Sequence, residues 1–263
     1  MFYGVVHFQM KYWAVLGRIF FALGVIGSGL MQLIRQDFVR LVPKLPAWAG
    51  SPFWWAILSG GVLVAAGAAL AFDRNRRLFA AILSVLLVAT FLLYIPGLVS
   101  NPGPGYMWTN PCKTLALLGG ALLLAFSAAE TTGVERSTPV THGGRLWHVS
   151  AIFYGIFFVV GGIQHYVYLD FVTQLVPPWL PQRRVWACFT GVALIAGGLG
   201  INFRPTSRVA ALASGFMVFL WVVMLHVPRA LSTPADPGEI SAVFEALALS
   251  GTAFLLAGTS RTH

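Results

Sequence analysis

Eight apolar runs dominate this sequence, at residues 13–34, 53–72, 77–98, 112–129, 148–169, 185–203, 208–230 and 240–258. Each is long enough to cross the hydrocarbon core of a bilayer as a helix. In hydrocarbon every backbone N–H and C=O must be paired inside the protein, and a helix meets that demand within one segment. Composition closes the soluble route: the 263 residues are 57% hydrophobic and only 10% charged, whereas a soluble domain carries about 25% charged residues. The expectation is an all-α polytopic membrane protein of about eight transmembrane helices.

Pro, Gly and charge mark the breaks between runs, because none of them sustains a helix in lipid. The breaks fall in one order twice. Gly29, Gln32, Asp37 and Phe38 recur as Gly162, His165, Asp170 and Phe171; Leu41-Val42-Pro43 recurs as Leu175-Val176-Pro177; Pro96 and Pro102 recur as Pro228 and Pro234. Leu115-Ala116-Leu117 returns as Leu247-Ala248-Leu249. A matching order of loops, prolines and helices indicates duplication: a first four-helix unit at 1–132, a polar linker at 133–146 and a second unit at 147–263. An even number of spans per unit brings both copies into the membrane from the same side, as two parallel tandem four-helix bundle repeats. Residues 13–34 have an internal counterpart at 148–169, so they read as a retained first helix and not as a cleaved signal.

The net charge of +9 comes from 17 Lys and Arg against 8 Asp and Glu. In a soluble chain that balance raises the question of nucleic acid. Here the bases sit singly or in short clusters between apolar runs, which fits positive-inside topology and contact with membrane lipid and leaves nucleic acid out as a partner. With the N-terminus inside, ten of the 17 bases and three of the eight acids lie on the inner side. The expected place is a cell (inner) membrane with both termini cytoplasmic. Cys112 and Cys188 are the only cysteines; both fall at the outer ends of runs, and whether they approach closely enough for a disulfide stays open. Paired glycines such as Gly60-Gly61, Gly119-Gly120 and Gly161-Gly162 suit close helix packing in lipid.

Ionisable groups near a membrane core are costly and are therefore the first candidates for function. Four stand out in the second half: His165, Asp170, His226 and Glu245. Two imidazoles and two carboxylates at similar depth are suited to relaying protons or holding a ligand carbonyl; the alternative is that each sits wetted at the interface without mutual contact. No His or Cys spacing points to a metal. Glu245 and Lys113 hold equivalent places in the two halves, which suits a structural ion pair between the units. The Pro-rich aromatic segments 38–46 and 171–181 read as caps at the outer surface, with Trp48 and Trp179 at headgroup depth. Arg183 and Arg184 open the next helix and call for a nearby anion, from Asp170, lipid or a ligand.

The string Gly161-Gly162-Ile163-Gln164-His165, through Asp170-Phe171, to Val176-Pro177-Pro178-Trp179-Leu180-Pro181, resembles the DoxX-like membrane proteins. Leu225-His226-Val227-Pro228-Arg229 and the closing Ala246 to Gly258 run carry the same likeness. That family is built on a four-helix unit, and its name comes from a subunit similar to the membrane part of thiosulfate:quinone oxidoreductase. Two features depart from it: Gln32 stands in the first half where the unit commonly has a His, and apolar residues follow Ser59-Gly60 and Thr190-Gly191 where a Glu is common. The resemblance implies a membrane anchor or quinone-facing subunit of an oxidoreductase system, with quinone as ligand and a redox partner protein. The sequence holds no motif for haem, flavin or iron–sulfur. The other class is a non-enzymatic carrier, chaperone or scaffold that binds a lipophilic ligand or a partner's membrane segment; it predicts an apolar groove with few polar groups.

Overall fold

A computed structural model describes residues 2–38, 42–43, 45–126 and 141–260. The linker expected at 133–146 lies largely outside the described residues, as do Leu41 of the first cap and Arg261. The protein is a polytopic membrane protein of two parallel tandem repeats, all-α among the described residues, where eight helices are long and apolar enough to span. The first repeat comprises α1 (Phe2–Arg35), α2 (Pro52–Ala71), α3 (Arg76–Ser100) and α4 (Tyr106–Phe126). The second comprises α5 (Thr141–Val167), a short α6 (Leu169–Leu175), α7 (Arg183–Asn202), a seventh span made of α8 (Ser207–Trp221) and α9 (Val227–Ser232), and finally α10 (Pro237–Thr259).

Local chemistry sets several boundaries. The Ser51 hydroxyl accepts from the Phe53 N–H ahead of Pro52, and the Asp236 carboxylate accepts from the Gly238 N–H ahead of Pro237, so α2 and α10 each begin on a side-chain cap followed by proline. At the far end of α2, Arg18 Nη1 donates to the carbonyls of Leu70 and Ala71 at 2.8 and 3.1 Å, placing a cation at the negative end of the helix. Helix α4 starts at Tyr106, six residues before the apolar run, and passes through Pro111.

The repeats interlock. Helix α1 packs on α2 and, most extensively, on α10; α5 packs on α7 and on α4. The fourth helix of each repeat thus lies against the first helix of the other, and α4 and α10 also touch each other. Two five-membered rings result, α1–α2–α3–α4–α10 and α5–α7–α8–α10–α4, sharing their central pair. Burial agrees: 67% of the most apolar window of α4 and 78% of that of α10 lie inside, against 28–44% for the other six.

The exchange is symmetric to the residue. A Cβ on Gly251 of α10 would meet the Gly17 carbonyl of α1 at 2.7 Å, while one on Gly119 of α4 would meet the carbonyl of Ser150, the α5 equivalent of Gly17, at 3.1 Å. Within each repeat, Gly29 lies against the Gly60 carbonyl as Gly162 lies against that of Gly191. Small residues bring helix axes close, which is the means of association available in lipid. Five of the six buried positions of α2, Ala56, Gly60, Leu63, Gly67 and Leu70, match the buried set of α7, Ala187, Gly191, Leu194, Gly198 and Ile201; Ala66 is the exception.

One element breaks the symmetry. Ala80, Leu83, Ser84 and Leu87 of α3 match Ala211, Ser214, Gly215 and Val218 at a spacing of 131, but Pro96 matches Pro228 at 132. The seventh span therefore carries one extra residue between these sets, and a π turn at Val222–His226 absorbs it, the Val227 N–H donating to the Val222 carbonyl. A π turn is what a single insertion makes of an α-helix.

Candidate functional site

The ring formed by the first repeat and α10 encloses a chamber of about 310 Å³, within the range of small-molecule sites. Its walls are largely apolar: Phe21 and Val25 from α1, Leu63 from α2, Leu87 from α3 and Leu117 from α4. Phe38, Val42, Leu45, Pro46 and Trp48 of the first cap roof it. Trp48 is 81% exposed, and Trp55, whose indole N–H donates to the Ala49 carbonyl at 2.8 Å, ties the roof to α2.

Polar groups are few and most are already committed. Ser59 Oγ, 2.7 Å from Gln32 Oε1 and from the Trp55 carbonyl, joins α1 to α2. Ser28 and Thr90 donate to carbonyls four residues back on their own helices. From α10 come Ser241 and Glu245, one turn apart on the same wall. Lys113 Nζ lies 2.6 Å from Glu245 Oε2, with both side chains largely buried, so the carboxylate is charge-balanced across the contact of the two central helices. Ser241 differs from the rest: it is 3% exposed, and its Oγ is buried with no hydrogen-bond partner. Ser28, Ser59, Ser84, Ser150 and Ser250 each bond a carbonyl, so an orphan beside a chamber is a group that a ligand can satisfy.

Of the four second-half residues, Glu245 alone lines this chamber. Among the described residues no group of three or more His, Cys, Asp or Glu side chains comes together. The exchange of fourth helices explains Glu245, because it places α10 on the wall of the first repeat's chamber. Asp170 rides on α6 at the surface, where it pairs with Arg184 at 2.8 Å, both side chains mostly exposed. The pair supplies the anion that the start of α7 calls for. His165 ends α5, its Nδ1 2.8 Å from the Gly161 carbonyl and its ring stacked at 6.4 Å on Trp221. His226 closes the π turn of the seventh span. Cys112 and Cys188 are both free, and the disulfide weighed from sequence does not form: α5 packs between α4 and α7, the helices that carry them.

Gln32 and Ser241 are the site residues that sequence reasoning passes over as candidates. The repeat marks Gln32, as the counterpart of His165, and Ser241 stands four residues before Glu245. What sequence does not carry is the exchange that brings α10 to the first repeat.

Residues 154–257 match a protein family described as a domain of unknown function (DUF8561), a span running from the middle of α5 into α10. No curated protein and no solved structure matches the chain.

Proposed function

We propose that the protein is a membrane-embedded, non-enzymatic binding protein or carrier for a small lipophilic molecule, held in the chamber of the first repeat. The supporting observation is the chamber itself: about 310 Å³ among membrane-spanning helices, with Phe, Leu and Trp walls and a few polar groups on α1, α2 and α10. Apolar walls with a small set of placed polar groups are the usual form of a small-molecule site. The alternative, a DoxX-like quinone-facing subunit of an oxidoreductase system with a redox partner protein, rests on the resemblance of the second-half motifs, a fold-level analogy. In that reading a quinone occupies the same chamber, which Glu245 lines and His165 and Asp170 do not. The excess of Lys and Arg at the ends carrying the termini supports a cell membrane with cytoplasmic termini.

The test uses the asymmetry of the repeats. Val25 on the chamber wall corresponds to Phe158, which is fully buried in the second repeat. Val25→Phe fills the chamber with the residue the second repeat already accommodates at the equivalent position. Wild-type protein purified in mild detergent is expected to carry a lipophile detectable by mass spectrometry of its organic extract, and Val25→Phe to lose it while remaining monodisperse. Equal retention by both proteins refutes the site.

A further inference from the structure

We infer that the chamber selects a neutral lipophile with a hydroxyl-bearing head, and turns away both carboxylate lipids and plain hydrocarbons; this rests on the lipophile-binding reading above. The charges on the described lining residues disfavour an anionic head. Among the described lining residues there is no Lys, Arg or His, and the one charged group is the carboxylate of Glu245. Its counter-ion, Lys113, is already bound to it at 2.6 Å. A carboxylate or phosphate here leaves water for a low-dielectric space beside a like charge, with no cation among the described lining residues to receive it. A cationic head fares little better, since the Glu245 charge is already balanced.

A hydroxyl meets what remains. Ser241 Oγ lacks a partner while buried, and Lys113 engages only one oxygen of Glu245, leaving the other as an acceptor one helical turn along α10. A hydroxyl donates one hydrogen bond and accepts others, so a single head group can donate to the Glu245 oxygen and accept from Ser241. Gln32 adds a donor: its Oε1 is taken by Ser59, which directs the amide NH₂ as the free function of the side chain. The tail then lies along Phe21, Val25, Leu63 and Leu87.

The measurement is scintillation-proximity binding to full-length protein in lipid nanodiscs, with protein-free nanodiscs subtracted, for radiolabelled 1-dodecanol, dodecanoate and dodecane. Dodecanol is expected to bind saturably, and dodecanoate and dodecane at least about tenfold more weakly. Ser241→Ala is expected to weaken dodecanol about fivefold to tenfold, the value of one net hydrogen bond, and Ser241→Thr, which keeps the hydroxyl, to restore it. Dodecane binding as well as dodecanol, with Ser241→Ala silent, overturns the head-group inference but leaves a lipophile site. Preference for dodecanoate overturns it too. Saturable binding of none of the three, or binding of all unchanged in Val25→Phe, removes the site and the proposed function with it.

Discussion

Lys113 and Glu245 meet across the contact of the two central helices, and their pairing is legible in the sequence because duplication sets them at equivalent places in opposite repeats. A cation and an anion at such places neutralise one another, whereas two like charges would not be tolerated in lipid. The energetic consequence is specific. Removing one partner leaves a buried charge uncompensated, which costs about 3 kcal/mol, while replacing both with apolar residues of similar volume costs far less. Lys113→Gln and Glu245→Gln are each expected to lower the melting temperature in detergent by several degrees, and Lys113→Met/Glu245→Leu to recover most of the loss. If each single variant melts with the wild type, the pair contributes nothing to stability. Ser241 is far less legible. A serine near the start of an apolar run has no signature, and its lack of a partner is a property of the packed structure.

Helix ends and spans follow from composition, since eight apolar runs and their breaks locate the eight membrane helices found among the described residues to within a turn, apart from the early starts of α1, α4 and α5. The π turn is legible too, through the change of repeat spacing between Val218 and Pro228, once buried positions are known. It leads to a contrast between equivalent helices. Deleting one residue rotates the rest of an α-helix by about 100°. In α3, deletion of Val88 therefore turns Tyr94, buried and hydrogen-bonded to Asn110 of α4, away from its partner. In the seventh span, deletion of Leu220 removes the extra residue and lets the π turn relax to α-helix. The Leu220 deletion is expected to purify as a monodisperse protein and the Val88 deletion to aggregate, as read by fluorescence size-exclusion chromatography. Equal tolerance of both deletions contradicts an insertion at this point.

Exchange of the fourth helices is not legible, because the order of spans along the chain is the same whether each repeat closes on itself or lends its last helix to the other. Only the glycine registers of α1 with α10 and α4 with α5 decide it, and those are pairings between distant segments. The arrangement makes each repeat incomplete alone: residues 1–132 lack α10, which covers α1 and forms part of the chamber wall, and residues 147–263 lack α4, which covers α5. Helices that pack through small residues in lipid gain little until the matching surface arrives. Expressed singly, each half is expected to be degraded or to aggregate; co-expressed, the two are expected to co-purify as a one-to-one complex with the mobility of the intact chain. Gly251→Leu in the second half, which forces a side chain into the backbone of α1 around Gly17, is expected to abolish that co-purification. Monodisperse isolated halves, each with its own closed four-helix core, would be incompatible with the exchange and with a chamber completed by Ser241 and Glu245.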